Sequence, residues 1–88
     1  MITAVVGRIV VSKAGRDAGR RFVVVKVIDD LYVEVADGDL RRVEKPKKKK
    51  IKHLDITDVT VEGVAEKLRS KGRITNAEVR KALAGLVS

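Results

Sequence analysis

Eighty-eight residues without a single cysteine make one small domain, or a small domain with an appendage, that can hold neither a disulfide staple nor a thiolate metal site. No apolar run approaches the ~18–20 residues that span a bilayer and no leader-like pattern opens the chain, so the sequence reads as soluble and cytoplasmic, with no membrane partner. Formal net charge is +8, yet residues 1–40 sum to zero, residues 54–88 to +1 and residues 41–53 to +7, a concentration that argues for a polyanionic partner, most commonly nucleic acid.

Residues 4–12 (AVVGRIVVS) alternate around Val5, Gly7, Ile9 and Val11 and predict a first strand. A glycine-rich turn, KAGRDAG, follows. RRFVVVKVID predicts a second strand that is apolar on both faces, with Val23, Val25 and Val27 on one side and Phe22, Val24 and Ile28 on the other. Such a strand is usually covered twice. LYVEVAD predicts a third strand with Leu31, Val33 and Val35 on one face, joined to the second by a tight Asp29–Asp30 hairpin. LRRVEK predicts a short fourth strand and IKHLDIT a fifth, with Ile51, Leu54 and Ile56 as its apolar members. Pro46 and the lysine run between them then form a hairpin tip.

The last third changes period. Val61, Val64, Ala65 and Leu68 share one helical stripe, and Gly72 is expected at the C′ position that ends it. Thr75 and Glu78 have capping-box spacing, Ile74 and Val79 have staple spacing, and Val79, Ala82, Leu83 and Leu86 continue a second stripe. Helices this short must dock to persist; Phe22, Val24 and Ile28 of strand two and Val6 and Val10 of strand one are the expected seat. The fold class is therefore mainly β with C-terminal helices: five short strands rolled into a small barrel or orthogonal sandwich, then two short helices.

The chemistry-bearing residues are basic. Lys45, Lys47, Lys48, Lys49, Lys50 and Lys52 crowd around one acid, Glu44, and their mutual repulsion is relieved by phosphates whose counterions are released on binding. The competing readings are a solvated loop that protects a sheet edge and a nuclear address. Lys13, Arg16, Arg20 and Arg21 surround Gly15 and Gly19, in a loop able to bring backbone N–H groups to a phosphate; its alternative is an ordinary hairpin loop. The loop lacks the Gly-Lys-Ser/Thr ending of a nucleotide-hydrolysing P-loop. Arg41 and Arg42 can fork onto phosphate or pair with Asp37, Asp39 or Glu44. Tyr32 could stack on a base, although such a tyrosine more often packs on a helix. His53 is the lone histidine, without a partner for metal binding or a catalytic triad. No constellation for catalysis, metal or cofactor emerges, so the chain reads as a non-enzyme.

The stretch VGRIVVSKAGRDAGRRFVVVKVID resembles a KOW motif, with Gly19 as its key glycine. Together with DDLYVEVADGDLR, EKPKKKKIKHL and ITNAEVRKAL, it makes most of the chain similar to the archaeal and eukaryotic large-subunit ribosomal proteins of the fourteen-e family. The likeness is nearest to the short bacterial KOW-domain RNA-binding proteins related to them. This resemblance implies an SH3-like barrel over residues 1–57, including the basic hairpin 41–53, with a helical pair over 58–88 docked on it. It also implies ribosome-associated binding of structured ribosomal RNA by a protein that is monomeric when free and can neighbour ribosomal proteins. The RNA-contacting set would be Lys13, Arg16, Arg20, Arg21, Arg41, Arg42, Lys45, Lys47, Lys48, Lys49, Lys50, Lys52 and His53. The alternative is a KOW adaptor that binds another protein of the transcription or translation machinery through its helices or a sheet edge.

Overall fold

The computed structural model describes residues 5–85. Five antiparallel strands, β1 (Arg8–Ser12), β2 (Arg21–Val27), β3 (Tyr32–Ala36), β4 (Lys47–Lys50) and β5 (Leu54–Thr60), precede two helices, α1 (Glu62–Arg69) and α2 (Asn76–Ala84). The strands form one sheet in the order β4-β3-β2-β1-β5. Its two edges, β4 and β5, are consecutive in sequence and joined only by a 3₁₀ turn at Ile51–His53. In a flat sheet those edges would lie roughly 19 Å apart, at about 4.8 Å per strand. A three-residue 3₁₀ turn rises only about 6 Å, so the sheet must roll until its edges approach, although its ladder does not close.

The rolled interior is filled by Val10, Phe22, Val24, Val33, Val35 and Leu54, with Ile51 and Ile56 against them. The helices cover the opposite face, where Ile9 and Val23 meet Val64 and Val79, flanked by Val43, Val61, Leu68, Ile74 and Leu83. Strand two is thus covered on both faces over residues 22–24, as its composition predicts, while Val27 and Ile28, expected to be covered too, stand exposed. The faces are the reverse of the expected ones: Phe22, Val24 and Val10 line the roll, and the helices sit on Ile9 and Val23. Alternation separates two apolar faces but cannot say which one the sheet will wrap around. Val25 also sits in a register shift between Val24 and Lys26, which breaks the expected alternation through Val27.

Three further expectations are corrected. The predicted strand over residues 40–45 is irregular, and the lysines expected at a hairpin tip are themselves β4, paired to β3 in the register Tyr32↔Lys50, Glu34↔Lys48. Residues 37–45 are instead held by their own turn and by α2: Asp37 Oδ1 accepts from the Asp39 and Arg41 amides, and Val43 N–H donates to Asn76 Oδ1 at 2.9 Å. The β2–β3 connection is longer than a two-residue hairpin. Asp29 Oδ1 accepts from the Leu31 and Tyr32 amides, which leaves Leu31 outside the strand and 66% exposed. Finally, α1 ends with Lys71, not Gly72, at the left-handed C′ position (φ 61°). Gly72 takes the next place, its amide donating to Lys67 O at 2.6 Å.

The capping box is present as read: Thr75 Oγ1 accepts from Glu78 N–H, and Glu78 Oε1 accepts from Thr75 N–H. Ile74 and Val79 join the same apolar cluster. Leu86, expected on this stripe, lies outside the described residues. Among the described residues no helix is long and apolar enough to cross a membrane.

Candidate nucleic-acid interface

Four consecutive lysines have poor intrinsic strand propensity. They are held as β4 because β3 supplies a backbone ladder and because β4 is an edge, where lysine is tolerated and guards against further pairing. Pro46 fits directly before such a strand. The pleat then divides the lysines. Lys47 and Lys49 lie opposite Val35 and Val33, which point into the core, while Lys48 and Lys50 lie opposite Glu34 and Tyr32 on the outer face.

Lys49 is consequently drawn inward. Its side chain is only 11% exposed, and its ammonium lies 3.2 Å from Asp17 Oδ2 and 3.3 Å from Ser12 Oγ, with the Phe22 ring centroid 5.8 Å away. Arg41 Nη2 reaches the same carboxylate oxygen at 3.5 Å. Burial by itself would raise the Asp17 pKa, but the hydrogen bond and charge of Lys49, joined by Arg41, outweigh it and hold the carboxyl below the usual 3.8. Arg20 is committed likewise: its Nη1 donates to Asp37 Oδ2 at 2.9 Å. Burial would raise the Asp37 pKa too, and the Asp39 and Arg41 amides together with Arg20 bring it down.

The 13–21 loop packs beside this strand. Lys13 N–H donates to His53 O at 2.8 Å, which ties the loop to the turn after β4, and Gly19 N–H donates to Ser12 O at 2.7 Å. Gly19 has φ +84°, a conformation that explains why a glycine stands there, with open space where a Cβ would be. The Asp17 contacts clasp the middle of the loop to β4.

The thirteen expected contact residues therefore divide. Arg20, Arg41 and Lys49 hold buried carboxylates and brace the fold. Lys13 and Arg42 make surface pairs with Asp55 (3.7 Å) and Glu44 (3.5 Å), weak enough to exchange for phosphate. Arg16, Arg21, Lys45, Lys47, Lys48, Lys50 and Lys52 are exposed, with no carboxylate of the described residues within ion-pair distance; His53 is exposed too. Lys48 instead lies 4.5 Å from the Tyr32 ring centroid, and Lys50 6.0 Å. Sequence reasoning missed Lys26, which stands across the sheet from Glu34 and so shares an outer row with Lys48. It also missed Asp17 as an anchor, since the residue sits in a run that reads as a turn. No cluster of His, Asp or Glu among the described residues could hold a metal ion.

The chain is 43% identical over 56 residues to the large ribosomal subunit protein eL14 of Desulfurococcus amylolyticus, an overlap covering 64% of this chain and 58% of that protein. Against the large ribosomal subunit protein eL14 of Pyrobaculum calidifontis it is 37% identical over 84 residues, covering 93% of this chain and 75% of the relative. The corresponding protein of Hyperthermus butylicus is 33% identical over 84 residues, 93% of this chain and 79% of its own length. No family profile matches the sequence.

Proposed function

The chain belongs to the family of large ribosomal subunit protein eL14, and from that we propose that it is a non-catalytic, ribosome-associated protein that binds structured ribosomal RNA. Its partners are RNA phosphates and, at the rim, neighbouring ribosomal proteins; free, it is a cytoplasmic monomer. The observation that supports this most is the exposed cationic strip formed by Lys47, Lys48 and Lys50 of the edge strand β4 and Lys52 of the turn after it, beside a clasped basic loop. A rigid array loses little entropy when it meets a phosphate backbone, and each phosphate neutralised releases counterions. Lys49, Arg41 and Arg20 act behind the strip by fixing loop and strand in one arrangement.

The test is binding to transcribed large-subunit ribosomal RNA over a range of salt. If about five phosphates are engaged, log affinity falls against log salt with a slope of roughly −3.5 to −4.5. Replacing Lys47, Lys48, Lys50 and Lys52 with alanine, while keeping Lys49, is expected to weaken binding and flatten the slope by about 3. An unchanged slope would remove β4 from the interface.

A further inference from the structure

Where the β2–β3 connection meets the end of β4, the surface carries a groove lined by Asp30, Leu31, Tyr32, Lys50, Ile51 and Lys52. Its walls are pinned. Ile51 N–H donates to Leu31 O at 2.8 Å, and the Asp29 carboxylate holds the Leu31 and Tyr32 amides at 2.8 Å each. Leu31 is 66% exposed, although an apolar side chain of this size gains nothing for the fold by standing in water. Tyr32 is the only tyrosine of the chain, which has no tryptophan, and its only phenylalanine, Phe22, is buried in the core. The Tyr32 ring is thus set among three lysines of the cationic strip, two of them on the groove itself.

We propose that this groove takes one unpaired nucleobase of the bound RNA, an inference that rests on the RNA-binding reading above. The base stacks on Tyr32 against Leu31 and Ile51, and Lys50 and Lys52 hold the phosphates on either side of it. Asp30, on the same rim, repels phosphate and directs the backbone to the lysine side. Stacking tolerates any base, because every base offers a π-face, so the groove selects an extruded or looped nucleotide over a paired one. An apolar peptide would fill Leu31 and Ile51 equally well but would leave two lysine charges facing it without counter-charge, so the flanking cations favour the nucleotide.

The single tyrosine makes the test direct. Protein carrying ¹³C-labelled tyrosine is titrated with a single-stranded twelve-nucleotide RNA and, separately, with a twelve-base-pair RNA duplex. The single strand is expected to move the Tyr32 ring resonances upfield by ring current, and the duplex is not. Tyr32→Leu keeps the apolar volume and is expected to lower single-strand affinity between about 5-fold and 140-fold with the salt slope unchanged. Leu31→Ser, at an exposed position, is expected to act in the same direction with unaltered thermal unfolding. Single-strand binding that leaves both the ring resonances and the Tyr32→Leu affinity unaltered would overturn the groove while sparing the RNA-binding reading. Absence of binding to either RNA would remove both.

Discussion

Asp17 occupies a loop, yet it is one of the most consequential side chains in the molecule. Its carboxylate is nearly buried and faces a lysine that is nearly buried as well, so each group's charge is tolerated through the other. Replacing Asp17 with Asn would leave the Lys49 ammonium without its counter-charge, and we expect urea unfolding to report a loss of about 3 kcal/mol at pH 7. The pH dependence follows from the direction of the shift. A carboxyl held below its unfolded value contributes stability that is complete above 3.8 and is lost as pH falls through its lower folded value. Unfolding curves from pH 7 down to pH 2 should therefore steepen below about pH 4 in the wild type and do so less in Asp17→Asn; equal steepening would assign the acid sensitivity elsewhere, for instance to Asp37, whose pKa is lowered too. None of this is legible from KAGRDAG. Two glycines and an aspartate read as a turn, and they do form one, but the partners of Asp17 lie 24 and 32 residues away.

At the scale of elements, local signals and tertiary pairing contend, and the end of α1 shows both. Gly72 follows the apolar stripe at a distance that suggests a C′ glycine, and it does belong to the terminating motif. The left-handed position is nevertheless taken by Lys71, while the amides of Lys71 and Gly72 close back onto Leu68 and Lys67. A side chain in that conformation costs about 1–2 kcal/mol, partly offset by the greater freedom of glycine in the unfolded chain. Lys71→Gly is thus expected to raise stability by about 0.5–1 kcal/mol, read as a higher urea midpoint with an unchanged slope; a lower midpoint would show that the lysine makes a contact worth more than its strain. The capping box of α2 was legible because every group in it lies within four residues. The lysine strand was not, because its strand character comes from the ladder that β3 provides.

For the whole molecule, the decisive event is the roll of the sheet and the docking of α1 and α2 on its outer face. Gly7 is one place where that docking is close. Its φ is +84°, and a Cβ there would overlap the Cβ of Ala65 and lie 2.8 Å from its Cα, in a residue that is itself fully buried. Gly7→Ala is expected to cost about 3 kcal/mol, combining backbone strain with overpacking. Gly19→Ala shares the backbone angle but meets open space, and is expected to cost about 1 kcal/mol. Chemical denaturation of the two variants separates the contributions: equal losses would mean that the helix does not pack as closely as the Ala65 contact implies. For a chain of this size, burying only roughly 60–65% of its unfolded surface, the larger loss removes much of the stability margin.

The order of β and α segments, the twofold coverage of the first half of β2, the cap of α2 and the placing of the cationic excess in residues 41–53 all follow from the chain read along its length, because each depends on neighbours a few positions apart or on composition alone. Which face of β2 is wrapped, which of the four strand lysines turns inward, and which arginines are spent on buried aspartates were decided by the folded sheet. Those outcomes depend on register across strands, and register joins residues that are distant in sequence: Lys49 opposite Val33, Asp17 beneath Lys49, and Gly7 against Ala65.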